Sequence, residues 1–310
     1  MGEIITDLPC RVVSPAGQPV IHRFFDTSPF SPSGRFLGLI QFPFEDHLPE
    51  IGDAAGILVI DLEEGTTLQV DQTRAWDTQL GAHVQWGWSD EALIYNQVDR
   101  SSGKLFGRVK NPGTGSHYDL DQPVYMVEDS GNRSLTPNLF QLNQVQAGYG
   151  VFWADQAEWN QSRNRDENGI WATDLRTGKS ELILSIQQIL DTFPELQEYE
   201  QNQEGEYVCF HVKWNPQGTR IFTVFRFANE DRSFIRNCII TLDTEGQNLA
   251  LALNPKTWLP GGYHPNWCPD GEHILMNLQQ DRDHLDLVRF RFDGSGLKTL
   301  SRNCRGSGHP

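Results

Sequence analysis

One short pattern returns at long intervals along this chain and restricts the folds that the chain can adopt. The pattern reads His83-Val84-Gln85-Trp86, then His211-Val212-Lys213-Trp214, then His264-Pro265-Asn266-Trp267. A turn that contains Gly, Pro, Asn, Asp or Ser follows each Trp, and a short apolar segment follows each turn. Repeats of this kind predict a β-propeller, in which small antiparallel sheets, called blades, surround one axis. A residue that recurs at one register of the blades lies at one height around that axis, so the repeat predicts that these imidazoles converge.

The same turn recurs without the His near residues 30–34 and 128–131. Apolar runs that are bounded by Gly, Asp, Asn or Pro then indicate the strands. We therefore expect one all-β propeller domain over residues 1–310, with TolB- or WD-like blades at about 24–70, 83–118, 123–185, 207–250 and 262–300. Gly308-His309-Pro310 repeats the His-Pro of the fifth blade, which predicts the start of a further blade at 308–310. We therefore expect a ring that is either incomplete at its C-terminus or closed in an unusual way.

The third blade contains an insertion in two parts. Residues 149–168 are rich in Asn, Gln and Arg and predict a polar loop, whereas the apolar residues between 180 and 200 predict a helix. Long insertions in a propeller project from one face and often form the functional site. We therefore expect part of the site in this segment.

Composition excludes several classes of function. The net charge is −16, from 41 acidic and 25 basic residues, which argues against a general nucleic-acid binder. An anionic small substrate remains compatible with this charge, because a local group of arginines can outweigh the global sign. The sequence has no apolar run long enough to predict a membrane span, and the N-terminus shows no secretory signal. The five widely spaced cysteines favour a reduced, cytoplasmic protein, and the oligomeric state is left open.

The recurring histidines have two interpretations. His211, His264 and His309 fall on consecutive blades, so they are candidate ligands of a divalent metal, zinc or manganese. Strand alternation also places Cys209 on the same face as His211. In the alternative, each inner-strand His has a structural role and bonds the backbone of a neighbouring blade.

Four segments together resemble a known family. They are the run from His22 to Pro32, the run from Phe42 to Pro49, Gly81-Ala82-His83-Val84-Gln85-Trp86-Gly87, and Gln146-Ala147-Gly148-Tyr149-Gly150. In these phrases the chain resembles the β-propeller polysaccharide lyases, most closely the ulvan lyases and more distantly the oligogalacturonate lyases. The resemblance implies cleavage of a uronate-containing oligosaccharide or polysaccharide by β-elimination. That reaction needs a group that neutralises the carboxylate, a base for the α-proton and an acid for the leaving oxygen.

The resemblance also implies which residues perform these roles. In ulvan lyases a Tyr and an Arg lie about sixteen residues apart, and here Tyr149 and Arg165 have that spacing, since 165 − 149 = 16. His83, one blade earlier, completes the predicted catalytic set. The family has a second His shortly after the first, and the comparable strand here has Asn96. Asn96, Arg163 and His22 are the predicted substrate-binding residues.

Two alternatives without catalysis stay open, one for Arg165 and one for the whole chain. Arg165 and its neighbours are compatible with a solvated surface loop in which the arginines pair with Asp166 and Glu167. The whole chain is also compatible with a non-catalytic TolB-like propeller that binds a protein or a glycan, because a fold alone does not decide function.

Overall fold

The prediction of an all-β chain is confirmed by a computed structural model, which describes residues 11–15, 17–152, 164–201, 203–280, 284–301 and 308–309. Its strands form five four-stranded antiparallel sheets that follow one another along the chain. Within each sheet the strands lie side by side in sequence order, so every connection joins neighbours. No helix of the described residues is long and apolar enough to cross a membrane.

The strands are numbered in chain order. Sheet 1 contains β1 (Val20–Ile21), β2 (Phe36–Gln41), β3 (Ala55–Asp61) and β4 (Thr66–Thr73). Sheet 2 contains β5 (Gln85–Trp86), β6 (Leu93–Val98), β7 (Leu105–Lys110) and β8 (His117–Asp119). Sheet 3 contains β9 (Met126–Val127), β10 (Arg133–Thr136), β11 (Gly169–Asp174) and β12 (Ser180–Ser185). Sheet 4 contains β13 (Glu206–Trp214), β14 (Arg220–Ala228), β15 (Ile235–Asp243) and β16 (Ala250–Leu253). Sheet 5 contains β17 (Gly262–Trp267), β18 (His273–Gln279), β19 (Leu285–Arg291) and β20 (Lys298–Ser301).

Short helices occupy some of the connections. They are α1 (Leu139–Val145), α2 (Ile186–Thr192), α3 (Pro255–Trp258) and a 3₁₀ turn at Pro194–Tyr199. The helix predicted near residues 180–200 is wrong in its first part, because 180–185 forms β12. Ser185 ends that strand and caps α2 through a capping box with Gln188, which stops helical structure from extending backwards.

The recurring turn joins the first two strands of four sheets. A Gly with positive φ ends each copy: Gly34, Gly131, Gly218 and Gly271. Its N–H donates to the carbonyl three residues earlier at 2.8 to 2.9 Å. The copy at 128–131 therefore has the same geometry as the others, although no His precedes it.

The recurring Trp attaches sheets 2, 4 and 5 to the sheet before each of them. The indole N–H of Trp86 donates to the Pro29 carbonyl at 3.0 Å, and that of Trp267 donates to the Lys213 carbonyl at 3.3 Å. Trp214 instead packs beneath the Arg133 guanidinium, which lies 4.7 Å from the ring centroid. Since a Trp side chain buries a large apolar area, this position fastens neighbouring sheets together.

The recurring His occupies an unusual backbone conformation. His83, His211 and His264 all have φ of 56°, in the left-handed region. The β13–β14 pairing shifts register at His211, and the β17–β18 pairing shifts between Tyr263 and Asn266. A bulge with a left-handed residue turns the inner strand locally, and His adopts this region more readily than most side chains do.

Sheet 1 has a longer excursion at the place where the inner strands of sheets 2, 4 and 5 have the His. Ile21 pairs with Ile40, and the Gly38 N–H donates to the Pro29 carbonyl at 2.9 Å. Residues 22–28 therefore loop out of the sheet, and we call this segment the central loop. It contacts sheets 3, 4 and 5 through Arg23, Phe24, Phe25 and Asp26.

The left-handed backbone at His264 predicts that Gly is more stable than Ala at this position, the reverse of the usual order. His264→Gly and His264→Ala both remove the imidazole, but only Ala places a Cβ in the left-handed region. The Gly variant should be more stable by about 1 kcal/mol, measured as the free energy of unfolding in urea.

The same pair of substitutions at Asn266, whose φ is not positive, provides the control. There Ala should be more stable than Gly by about 0.5–1 kcal/mol, the ordinary order within a strand. An Ala variant more stable than the Gly variant at position 264 would contradict the bulge.

Candidate functional site

A cleft of about 380 Å³ lies beside the inner strands of sheets 4 and 5. The segment that follows α1 forms one wall, and the connection between β16 and β17 forms another. The polar and aromatic side chains that line it include Tyr149, His211, Arg226, Arg236, Tyr263 and His264.

Tyr149 is positioned by two glycines. Gly148 and Gly150 have φ of 85° and 78°, and a Cβ on Gly150 would lie 2.3 Å from the Leu139 carbonyl oxygen. The Gly150 N–H donates to the Asp77 carboxylate at 2.8 Å, which holds this turn in place. Burial, reinforced by the nearby Asp77, raises the pKa of Tyr149 to about 12, so the phenol is protonated at neutral pH.

His211 has an internal partner on one side of its ring. A 2.6 Å hydrogen bond joins its Nδ1 to the Tyr125 hydroxyl. Its ring stacks on Phe24 and meets the Tyr149 ring edge-on, with centroids 6.1 and 5.6 Å away. Burial, together with the positive charge of Lys213, lowers its pKa well below the usual range, so the imidazole is neutral at neutral pH.

Arg226 is a buried cation with neutral partners. Its Nε donates to Asn237 Oδ1 at 2.8 Å and its Nη1 to Gln146 Oε1 at 3.1 Å, and the guanidinium lies 4.2 Å from the Phe210 ring centroid. Burial lowers its pKa to about 10, which leaves the group charged at neutral pH. The sequence reasoning missed this residue. The available signal was a charge in the middle of the apolar strand Phe225-Arg226-Phe227.

The charge of the cleft is opposite to that of the whole chain. Arg226 and Arg236 line it, and none of the described lining residues is Asp or Glu. The chain as a whole has 41 acidic and 25 basic residues. A local excess of cations of this kind is compatible with an anionic ligand.

The central loop places a buried ion network behind the cleft. Asp26 accepts from Arg23 Nη1 at 2.8 Å and lies 2.6 Å from Lys213 Nζ, and all three side chains are almost fully buried. Burial alone would raise the pKa of Asp26, but Lys213 and Arg23 outweigh it and hold that pKa well below its usual range. Phe24 and Phe25 of the same loop pack against the cleft histidines His211 and His264.

His83 lies away from the cleft and is completely buried. Its Nδ1 is 3.2 Å from the Tyr125 carbonyl, and its Nε2 is 3.9 Å from Asp77. Burial lowers the pKa of His83 to about 3 and raises that of Asp77 to about 7. The contact with the neighbouring sheet's backbone matches the structural interpretation of the repeat.

The structure does not bring Arg165 to Tyr149 in the cleft. Its guanidinium bonds both carboxylate oxygens of Glu200 and lies 5.2 Å from the Tyr207 ring centroid. Arg163, a predicted substrate-binding residue, lies outside the described residues. The matching spacing of Tyr149 and Arg165 along the chain therefore does not correspond to a shared site here.

The other two predicted substrate-binding residues also lie apart from the cleft. Asn96 is fully buried, and its amide donates to the Val124 carbonyl at 2.8 Å and accepts from the Val124 N–H at 2.7 Å. This side chain joins sheet 2 to the strand that begins sheet 3. His22 is exposed and does not line the cleft.

The predicted metal ligands converge only in part. His309 stacks on Phe25 with centroids 4.0 Å apart and meets the His264 ring at 4.2 Å, while His211 Nδ1 is engaged by Tyr125. Within the described part of the chain, no group of three His, Cys, Asp or Glu side chains has a geometry suited to a metal ion. The described residues therefore do not fit a zinc or manganese centre.

Comparison with known proteins identifies a fold and no family. No protein-family model and no curated protein matches the sequence. The chain is similar in structure to an oligogalacturonate lyase from Vibrio parahaemolyticus, with 11% identity and a TM-score of 0.55 over 93% of this chain and 68% of that one. It is similar to a prolyl endopeptidase, with 12% identity and a TM-score of 0.51 over 94% and 36% of the two chains. TolB from Acinetobacter baumannii gives 10% identity and a TM-score of 0.46 over 95% and 57%.

At these identities the likenesses concern the fold. The likeness to the oligogalacturonate lyase, with its TM-score of 0.55, supports the predicted β-propeller fold, and the distant likeness to oligogalacturonate lyases is confirmed at that level. The likeness to ulvan lyases stays a prediction.

The buried, neutral His83 predicts a contribution to acid sensitivity. Its pKa is lowered from 6.5 to about 3 in the folded chain, so its contribution to stability is lost as the pH falls from about 6.5 toward 3. The slope is at most about 1.4 kcal/mol per pH unit. His83→Asn, which suits the left-handed backbone, should flatten the decline in the free energy of unfolding between pH 6.5 and 4.

Only the slopes of the free energy of unfolding against pH should be compared, because His83→Asn also lowers that free energy at every pH. Asp77 acts in the opposite direction: its pKa is raised to about 7, so its contribution is present at low pH and is lost as the pH rises through that value. Asp77 remains in both proteins. Equal slopes in the wild type and the variant would show that folding does not lower the pKa of His83.

Proposed function

We propose that this protein is a propeller lyase that binds a uronate-containing oligosaccharide in the cleft and cleaves it by β-elimination. The observation that supports this most is Arg226, a buried guanidinium whose partners among the described residues are neutral, in a cleft whose described lining has no acidic side chain. A carboxylate is the ligand that such a group favours.

The five sheets are the blades of this propeller, and the central loop lies where their inner strands meet. The substrate carboxylate binds Arg226, which makes the adjacent proton more acidic. Tyr149 and His211, whose rings meet edge-on, are the groups available for proton transfer and for hydrogen bonding to the substrate. Of the catalytic set predicted from the sequence, this assignment retains Tyr149 and replaces His83 and Arg165 with His211 and Arg226.

The resemblance to the ulvan lyases and the fold of an oligogalacturonate lyase give the same class of substrate. The cleft volume of about 380 Å³ suits a short oligosaccharide segment. The exposed ring of Tyr263 at the edge of the cleft provides an apolar face for a neighbouring sugar.

A second function, non-catalytic binding of the same oligosaccharides, is favoured by a specific observation. His83 and Arg165, which the lyase resemblance implicates, do not line the cleft. A non-catalytic propeller would need only the anion-binding groups that do line it. In that case the chain binds the same oligosaccharides and leaves them intact.

The proposal predicts a large effect of Arg226 on elimination. The product is a 4,5-unsaturated uronate that absorbs in the near-ultraviolet, so the wild type should produce rising absorbance with ulvan or oligogalacturonate fragments. Arg226→Met should lower kcat/KM about 10²–10³-fold, since the carboxylate is then left without its buried cation. Tyr149→Phe should lower kcat about 10²–10⁴-fold.

Arg108→Met is the matched control, because Arg108 pairs with Asp119 on the outer edge of sheet 2, away from the cleft. It should retain wild-type rates. Calorimetric binding of the same fragments separates the two functions: binding that depends on Arg226 without any absorbance change would favour the non-catalytic propeller. A requirement for Arg165 and none for Arg226 would refute the assignment to this cleft.

A further inference from the structure

Tyr125 contacts two of the recurring histidines at once. It lies just before β9, is buried, and its ring is 4.9 Å from the Arg23 guanidinium. Its carbonyl accepts from Arg23 Nε at 2.8 Å and is 3.2 Å from His83 Nδ1. Its hydroxyl lies 2.6 Å from His211 Nδ1. Backbone and ring are thus both held, so the hydroxyl is directed at His211.

The direction of the hydrogen bond between Tyr125 and His211 follows from the partners available. Among the described residues the Tyr125 hydroxyl has no acceptor other than His211 Nδ1. If Nδ1 were protonated and donated to Tyr125, the buried phenol proton would be left without a partner, which costs about 1–3 kcal/mol. Tyr125 therefore donates, Nδ1 accepts, and the proton of the neutral imidazole resides on Nε2.

We infer that Tyr125 is a positioning residue that holds His211 as a neutral hydrogen-bond donor toward the cleft, so that His211 binds the substrate carboxylate and Tyr149 moves the proton. The inference rests on the proposed function and assigns the two roles that the proposed function leaves undivided. A neutral imidazole held by its environment serves as an electrophile in other enzymes.

In the resulting reaction Tyr149 acts first as the base and then as the acid, so no other group has to supply or take a proton. The Tyr149 phenolate takes the proton from the carbon next to the carboxylate, and the electron pair of that C–H bond forms the new C=C bond. The bond from the next carbon to the glycosidic oxygen breaks, and that oxygen takes the proton from Tyr149, which returns to the phenolate. Arg226 and the Nε2–H of His211 stabilise the charge that develops on the carboxylate oxygens.

Charged groups surround both residues and bear on any pH dependence. Those that act on Tyr149 are Asp77, Asp26 and Arg226. Those that act on His211 are Lys213, Arg23, Arg226 and, with the opposite sign, Asp26. Burial, reinforced by the cations, keeps His211 neutral. Burial also keeps Tyr149 protonated at neutral pH, so its phenolate becomes more populated as the pH rises.

Nuclear magnetic resonance of protein labelled with ¹⁵N-histidine tests the hydrogen bond without any substrate. The His211 signals are assigned by their loss in His211→Asn. In the wild type they should show Nε2 protonated and Nδ1 as an acceptor. In Tyr125→Phe the Nδ1 resonance should move to higher frequency, as for an acceptor that has lost its donor. A wild-type His211 with Nδ1 protonated, or an unchanged Nδ1 in Tyr125→Phe, would overturn the inference.

Tyr207→Phe is the matched control for the loss of a buried hydroxyl. Tyr207 donates to the Leu196 carbonyl at 2.6 Å in the same sheet as His211 and does not line the cleft. Tyr125→Phe should lower kcat/KM about 10- to 100-fold, by analogy with the loss of a partner that orients a metal-bound histidine. Tyr207→Phe should leave both the rate and the His211 resonances unchanged.

The pH profile tests which group takes the proton. With Tyr149 as the base, kcat/KM should rise about tenfold per pH unit between pH 7 and 9. A rate independent of pH over this range would assign the base to His211 and overturn the inference while the proposed function stands. A wild type that eliminates no uronate overturns the role of Tyr149 and the proposed function together, and the tautomer measurement then decides the hydrogen bond alone.

Discussion

Asp26 is the buried carboxylate on which the arrangement of the site depends. It joins Arg23 of its own loop to Lys213 of β13, two cations that are almost fully buried. Removing one member of such a network leaves an uncompensated buried charge, at a cost of about 3–5 kcal/mol. Because Asp26 fixes the central loop, it also fixes Phe24 and Phe25 against the histidines of the cleft. Burial lowers the pKa of His211, and the excess positive charge left by two cations and one carboxylate lowers that pKa further, so the imidazole stays neutral.

The recurring His shows how one backbone position supports different chemistry. All three copies have the same left-handed φ, so the bulge is a property of the repeat. Their side chains differ because the neighbours differ: His83 faces the Tyr125 carbonyl and Asp77, whereas His211 faces the Tyr125 hydroxyl and the cleft. Identical register therefore predicts where an imidazole lies, and the non-repeated residues around it decide whether a ligand can reach it.

That distinction explains which parts of the fold and of the candidate site could be predicted from the sequence. Turns and apolar strands depend on local residues, so the five sheets could be predicted. The partners of Arg165 and Asn96 are distant in sequence, and nothing local indicates that Glu200 and Val124 occupy their hydrogen-bonding groups. Arg226 was visible as a charge in an apolar strand, but its role depends on Asn237 and Gln146, which only the fold brings to it.

The charge of the cleft and the charge of the chain act over different distances. The net charge of −16 repels an anionic saccharide in solution, but salt screens that repulsion beyond about 8 Å at physiological ionic strength. Arg226 acts at contact distance from a buried position where screening is weak. A ligand that touches only the outer surface is therefore repelled, whereas one that inserts a carboxylate into the cleft gains a hydrogen-bonded cation. Under the proposed function, the acidic surface adds selectivity to a site whose affinity comes from a few buried groups. The same groups, Arg226, His211 and Tyr149, are the ones to which the proposal assigns the elimination.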